Sequence, residues 1–311
     1  MDKKMKALAD GLKRGDRGCI ARCISMAEDE PEAFSKLIKG IYDPNRIPRV
    51  IGITGPPGCG KSSLIAQIAL IIASYGNKLG IIAIDASSPF SGGSFLGNRI
   101  RMEETVSSSN IFMRSIATRG AKGGLAASIM SALITLSCAG FDTVIVESVG
   151  AGQADVDILD IASTILLVLA PGLGDEIQAM KAGTMEIADI FVINKSDLAG
   201  ADQAKRAITA YLSTLSGPQS KMIANTSCTK KEGIKDLVGM IEKHEKSINT
   251  KSFIERAFSM EVNRIAKELL SKRVDGLLAR NPHAMSNMLK SRLDPYSAAV
   301  KLLDAAKKRG K

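Results

Sequence analysis

Tryptophan is absent from this 311-residue chain, histidine occurs twice, and aromatic residues make up only 4%. His244 and His283 leave little for a histidine-rich metal site or a histidine-based catalytic triad, and both are expected at the surface. The five cysteines, Cys19, Cys23, Cys59, Cys138 and Cys228, are odd in number and widely spread. Without C-x-x-C spacing they fit neither zinc nor redox motifs, and they are read as reduced thiols. No apolar run is long enough to span a bilayer. The opening Met-Asp-Lys-Lys-Met-Lys has no apolar stretch followed by a small-residue cleavage site, so no secretory signal is expected and the cytoplasm is the default compartment. Internal repeats and low-complexity segments are lacking too.

What is present describes an ordinary globular protein, 45% hydrophobic and 24% charged. Its net charge of +10 is unevenly placed. Residues 49–250 balance at 18 basic against 18 acidic, whereas the last 61 residues carry 14 against 6. Such a tail can meet an acidic protein surface or nucleic acid. No aromatic or RNA-binding motif accompanies the charge, so the simpler reading is a solvated helix face, with nucleic acid an unexpected partner.

Residues 1–47 read as an N-terminal helical arm, with Pro31 in the first turn of a segment whose apolar positions recur at helical spacing. Asp43-Pro44 and Ile47-Pro48 break the chain. Short β-branched runs follow at 49–54, 79–85, 111–115, 142–147, 164–170, 189–194 and 221–226, mostly separated by helical patterns. Runs as continuously apolar as Thr164-Ile-Leu-Leu-Val-Leu169 suit strands buried on both faces. The fold class implied is α/β, a doubly wound, mostly parallel sheet of the P-loop NTPase kind with N-terminal and C-terminal helical extensions. The central domain is placed at 48–250 and a helical tail at 251–311, broken at Asn281-Pro282 and Asp294-Pro295.

The chemistry-bearing residues fall at the carboxyl ends of these runs, where doubly wound sheets bind ligands. Gly55-Pro56-Pro57-Gly58-Cys59-Gly60-Lys61-Ser62-Ser63 follows a strand and precedes a helix, the context of a phosphate loop. The glycines let successive N–H groups surround phosphate oxygens at a helix N-terminus. Lys61 is expected to neutralise the β- and γ-phosphates and Ser62 to place its hydroxyl on Mg2+. Asn194-Lys195-Ser196-Asp197 ends a later strand, and Asp197 is the discriminating residue. A carboxylate accepts from both N1–H and the exocyclic amino group of guanine, donors that adenine lacks, so GTP and GDP are expected and ATP rejected. Ser227-Cys228-Thr229, after the next strand, is placed to give backbone N–H groups to the guanine carbonyl. Asp85 and Glu147 end two other central strands and are candidates for metal or water positioning. Glu147-Ser-Val-Gly150 has the form E-x-x-G, in which the Gly150 N–H can report on the γ-phosphate. Gln153, in the loop after it, either orients water or is a surface-exposed loop residue.

Read together, these segments resemble the MeaB/ArgK family of GTPases, the G-protein chaperones of adenosylcobalamin-dependent acyl-CoA mutases such as methylmalonyl-CoA mutase. The likeness extends through Ile84-Asp-Ala-Ser-Ser-Pro-Phe-Ser-Gly-Gly93, Ala117-Thr-Arg-Gly120, Glu147-Ser-Val-Gly-Ala-Gly-Gln153, Pro171-Gly-Leu-Gly-Asp-Glu-Ile-Gln-Ala-Met-Lys181, Met185-Glu-Ile-Ala-Asp189 and Leu293-Asp-Pro-Tyr-Ser-Ala-Ala299. The resemblance implies a slow GTPase that gates loading of adenosylcobalamin into its mutase and protects that enzyme. It also implies a partner-sensing switch that maps onto 174–181, with Gln178 and Lys181 as its leading residues, and a homodimer formed through the C-terminal helices. Asn98 departs from the family's aspartate and cannot bring negative charge to Mg2+ or water. Ala86 replaces a proline after Asp85, a change in loop stiffness, and Cys59 is a thiol whose oxidation would block phosphate. The rival readings are a nickel-insertion-type metallochaperone GTPase and a transport-associated kinase or ATPase.

Overall fold

A computed structural model of the chain describes residues 3–85, 109–117, 125–148, 161–172, 184–214, 221–248 and 250–308. Its centre is β1, Arg49–Thr54, whose buried residues pair in parallel with β4, Thr143–Glu147, on one side and β5, Thr164–Leu169, on the other. Outward from β4 lie β2, Leu79–Asp85, and β3, Ile111–Ala117; outward from β5 lie β6, Ile190–Ile193, and β7, Met222–Asn225. The sheet is seven-stranded in the order β3-β2-β4-β1-β5-β6-β7, and neighbouring strands pair in parallel throughout. All of the runs read from the sequence form strands. β3 is longer than expected, because pairing with β2 continues through Ile84↔Ile116 and Asp85↔Ala117. β4 to β7 stop a residue short at one or both ends, where the chain turns toward the loops.

Strand alternation divides the apolar side chains between two faces. On one face Ile51, Ile53, Ile145, Leu166 and Val168 pack against helix α4, Lys61–Ser74, through Leu64, Ile65 and Ile68. Leu237, Val238 and Ile241 of the Ile234–Ser247 helix complete that layer. On the other face Val50, Ile82, Ile84, Val144, Val146 and Leu167 meet the Leu125–Cys138 helix. Gly80 of β2 lets Leu136 come close there, since an added Cβ would lie 2.7 Å from Leu136 Cδ1 and the leucine would have to shift.

The N-terminal segment forms α1, Lys3–Lys13, α2, Arg17–Asp29, and α3, Pro31–Ile38. Leu8, Leu12, Ile20, Ile24 and Leu37 are buried within the same core as Val50 and Ile82, so these helices cover the sheet layer rather than stand apart from it. Asp16 caps α2 by accepting from the Cys19 N–H at 2.8 Å. Arg17 and Arg114 tie the layer to the edge strand: Arg17 donates to the Ile111 carbonyl and Arg114 to the Ser25 hydroxyl.

Two compact units divide the chain, Met1–Ile254 and Glu255–Lys311. The second consists of most of a long helix, Thr250–Arg280, then Ala284–Lys290 and Pro295–Lys308, with breaks at the prolines the sequence marks. Its long helix carries the i,i+3 and i,i+4 ion pairs Arg264–Glu261, Arg264–Glu268 and Lys272–Glu268. Phe258, Leu269, Leu289, Tyr296 and Val300 are exposed apolar side chains of this unit. Among the described residues no helix is long and apolar enough to cross a membrane.

Candidate functional site

β1 ends at Thr54, and the next residues turn sharply into α4 through backbone angles that only glycine adopts freely. Gly55 has φ 147°, Gly58 φ 79° and Gly60 φ 94°. Space is as restrictive as torsion: a Cβ on Gly55 would meet the Val168 carbonyl oxygen at 2.1 Å, and one on Gly60 would meet Asn194 Nδ2 at 2.4 Å. The loop leads into the N-terminus of α4, where unpaired backbone N–H groups favour an anion. Lys61 is buried, and its ammonium donates to the carbonyls of Gly55 at 2.7 Å and Pro56 at 3.3 Å. Pro56 and Cys59 are also buried, whereas Pro57, Gly58 and Ser63 are exposed. Burial pushes the Cys59 thiol up, opposed by Lys61.

Ser62 donates from its hydroxyl to Glu147 Oε1 at 2.7 Å, across 85 residues of sequence. Glu147 closes β4 and is 3% exposed, so the sheet presents a buried carboxylate to the first turn of α4. A hydroxyl and a carboxylate side by side make a hard, oxygen-only donor set, which fits Mg2+, an ion that keeps most of its waters and needs few protein ligands. Asp85 ends β2, opposite Ala117 of β3. Its side chain, and Asn98, Gly150, Gln153, Gln178 and Lys181, lie outside the described residues.

The end of β6 is bound to this loop. Asn194, 1% exposed, donates from Nδ2 to the Cys59 carbonyl at 2.9 Å. Its Oδ1 accepts from the Thr226 hydroxyl at 3.1 Å and the Cys228 thiol at 3.4 Å. Lys195 adopts φ 56°, and its ammonium donates to the Gly58 carbonyl at 2.7 Å. The Ser196 N–H bonds to the Thr226 carbonyl, which holds the turn after β6 against the turn after β7. Asp197 is exposed, and its carboxyl is held below the ordinary carboxylate range by hydrogen bonding from Ser227, then by its own backbone N–H. Ser227 is fully buried and Thr229 is exposed. Burial raises the Cys228 thiol. The structure thus brings three separated segments, 55–62, 194–197 and 226–229, to one end of the sheet. Sequence reasoning missed Thr226, whose side chain is the stronger donor to Asn194, because nothing in its spacing marks it.

One expectation is corrected at the opposite end of the sheet. His283 is exposed, but His244 is half-buried. Its Nδ1 lies 3.0 Å from Thr164 Oγ1 and its Nε2 3.4 Å from Asp189 Oδ1. The next residue, Glu245, pairs with Arg49 at 2.8 Å. His244 sits one turn beyond Ile241 on the buried face of its helix, which is why solvent does not hold it.

Comparison with known proteins adds the family. Residues 20–283 match the family described as methylmalonyl Co-A mutase-associated GTPase MeaB. A Pyrococcus horikoshii protein named as a GTPase is 39% identical over 306 residues, covering 96% of each chain. The mouse protein named methylmalonic aciduria type A homolog, mitochondrial, is 33% identical over 222 residues, 67% of this chain and 54% of its own. Among solved structures, one titled LAO/AO transport system kinase superimposes with a TM-score of 0.69 at 19% identity over 99% of both chains, a likeness of fold.

Proposed function

The chain belongs to the MeaB family of methylmalonyl-CoA mutase-associated GTPases, and from that premise we propose that it binds and hydrolyses GTP as the chaperone of an adenosylcobalamin-dependent acyl-CoA mutase. The observation that carries the nucleotide part is the join between the two loops: Asn194 and Lys195 donate to the carbonyls of Cys59 and Gly58. A phosphate cradle and a base-reading loop become one surface by these bonds.

In this reading the triphosphate lies along Gly55–Ser63, where backbone N–H groups and the N-terminus of α4 meet its charge. Lys61 turns from the Gly55 and Pro56 carbonyls to the β- and γ-phosphates, exchanging neutral acceptors for anionic ones. Asp197, whose carboxyl is lowered below the ordinary range by Ser227, accepts both donors on the Watson–Crick edge of guanine. Adenine would leave that carboxylate unpaired, which is the basis of selectivity. Backbone N–H groups of Cys228 and Thr229 face the guanine carbonyl. Ser62 and Glu147 would hold Mg2+, directly or through water, and the ion when bound supplies neutralisation of charge developing on the phosphates. Asp85, Gly150 and Gln153 complete this reading as the metal-side carboxylate, the γ-phosphate reporter and the water-orienting residue.

The partner reading rests on the family name. It makes Gln178 and Lys181 the residues through which the mutase is sensed, gives the protein a role in delivering cobalamin and protecting the mutase, and places a homodimer and a cytoplasmic location alongside. The test is hydrolysis of GTP and ATP by the purified chain, with and without a cobalamin-dependent mutase from the same organism. GTP turnover accelerated by the mutase is the expected result. GTP turnover indifferent to every mutase removes the partner reading, and efficient ATP turnover removes the guanine reading.

A further inference from the structure

We infer that Cys228 is a positioning residue of the guanine site: its thiol, together with the Thr226 hydroxyl, holds the Asn194 amide so that one N–H remains for the purine N7. The inference rests on the guanine reading above and concerns a side chain, where that reading uses only the Cys228 backbone.

Asn194 is 1% exposed, so water cannot satisfy its amide and its partners fix its orientation. The carbonyl oxygen has two acceptor sites, and both are filled, by Thr226 Oγ1 at 3.1 Å and Cys228 Sγ at 3.4 Å. The amide nitrogen has two N–H groups, one of which is given to the Cys59 carbonyl at 2.9 Å. Flipping the amide would set Oδ1 against that carbonyl, acceptor to acceptor, and would force the Thr226 hydroxyl to turn from donor to acceptor. Sideways freedom is removed as well, because Nδ2 lies against the backbone of Gly60. One N–H is left over, at the junction of the phosphate and base loops.

Guanine offers two acceptors on its outer edge, O6 and N7. O6 is the carbonyl assigned to the backbone N–H groups after Ser227, which leaves N7 for the amide. Adenine also has N7, so this bond adds affinity without choosing between purines; choice stays with Asp197. A thiol can donate only while protonated. Burial, the largest influence on Cys228, keeps it so at neutral pH.

The test compares wild type, Cys228→Ala and Cys228→Ser for binding of GDP and of 7-deaza-GDP, which lacks the N7 acceptor. Loss of one weak donor corresponds to a roughly three- to ten-fold fall in GDP affinity for C228A. C228S, which restores a donor, should lie within about twofold of wild type. With 7-deaza-GDP, wild type and C228A should bind alike. The proposal is overturned if C228A binds GDP as wild type does. It is equally overturned if C228A loses the same factor for both ligands, because the side chain then acts through pocket shape. Should C228A unfold, Cys228→Val fills the space without a donor and carries the same comparison. Failure of the guanine reading looks different: wild type would bind ADP as tightly as GDP, whatever the Cys228 variants do.

Discussion

Asn194 and Asp197 stand three positions apart yet are held by opposite means. Asn194 is buried and committed to partners in two other loops, whereas Asp197 is exposed, its carboxyl lowered below the ordinary range first by Ser227. Substitution should separate their effects. Asp197→Asn removes the acceptor for both guanine donors and should weaken GDP binding by about 100-fold or more, with little change in thermal stability. Isothermal titration beside a melting curve checks both halves. Asn194→Ala should cost binding and stability together, since it strips partners from Thr226 and from the Cys59 carbonyl in a buried setting. At this scale the sequence was partly legible. Asp197 announces itself by type and position, and so does the glycine pattern of the phosphate loop. Thr226 and the Cys228 thiol do not, because their roles depend on which atom of Asn194 they face. His244 was readable in principle: Ile234, Leu237, Val238 and Ile241 continue, at helical spacing, to 244 and 245, and that periodicity outweighs the polarity of a histidine.

The elements themselves were written plainly in the chain. β-branched runs buried on both faces leave few alternatives to a parallel sheet, and the seven runs became seven strands. What the sequence hid is lateral packing, such as the continuation of β3 beside β2 and the layer formed by α1 to α3. That layer has a measurable worth. Leu12 of α1 is fully buried in the core that α1 shares with α2 and the Leu125–Cys138 helix, so Leu12→Ala should destabilise the protein by about 2–5 kcal/mol in denaturant unfolding. The Ile234–Ser247 helix, which carries Glu245, has a pH signature of its own. Burial pushes Glu245 above its ordinary value of 4.5, against the pull of Arg49. A carboxyl raised in the folded state binds its proton more tightly there than in the unfolded chain, so its contribution is greatest in acid and falls as pH climbs from 4.5 through the raised value. Melts of wild type and Glu245→Gln between pH 4 and 7 should therefore differ most favourably for wild type at the acid end, with the difference shrinking upward.

At the scale of the whole molecule, charge is divided unevenly along the chain: residues 49–250 balance, whereas the last 61 carry 14 basic to 6 acidic residues. The exposed Leu269 and Leu289 belong to the second unit, and in the proposed homodimer such side chains gain cover. Sedimentation should show a dimer for the full chain and a monomer for the double variant Leu269→Asp, Leu289→Asp, with GDP affinity unchanged. A monomeric wild type removes the dimer from the proposal. The bond from Asn194 to Cys59 spans 135 residues of sequence, which carries a consequence for biosynthesis. If the proposed guanine site is the true one, it has no purine pocket on the ribosome until β6 and the Thr226-Ser227-Cys228 turn have emerged and docked on the 55–62 loop made long before. Guanine nucleotide therefore cannot template the early sheet; it can only trap the finished one. Refolding in vitro should show the same order, with GDP leaving the fast phases untouched and stabilising only the product of the last.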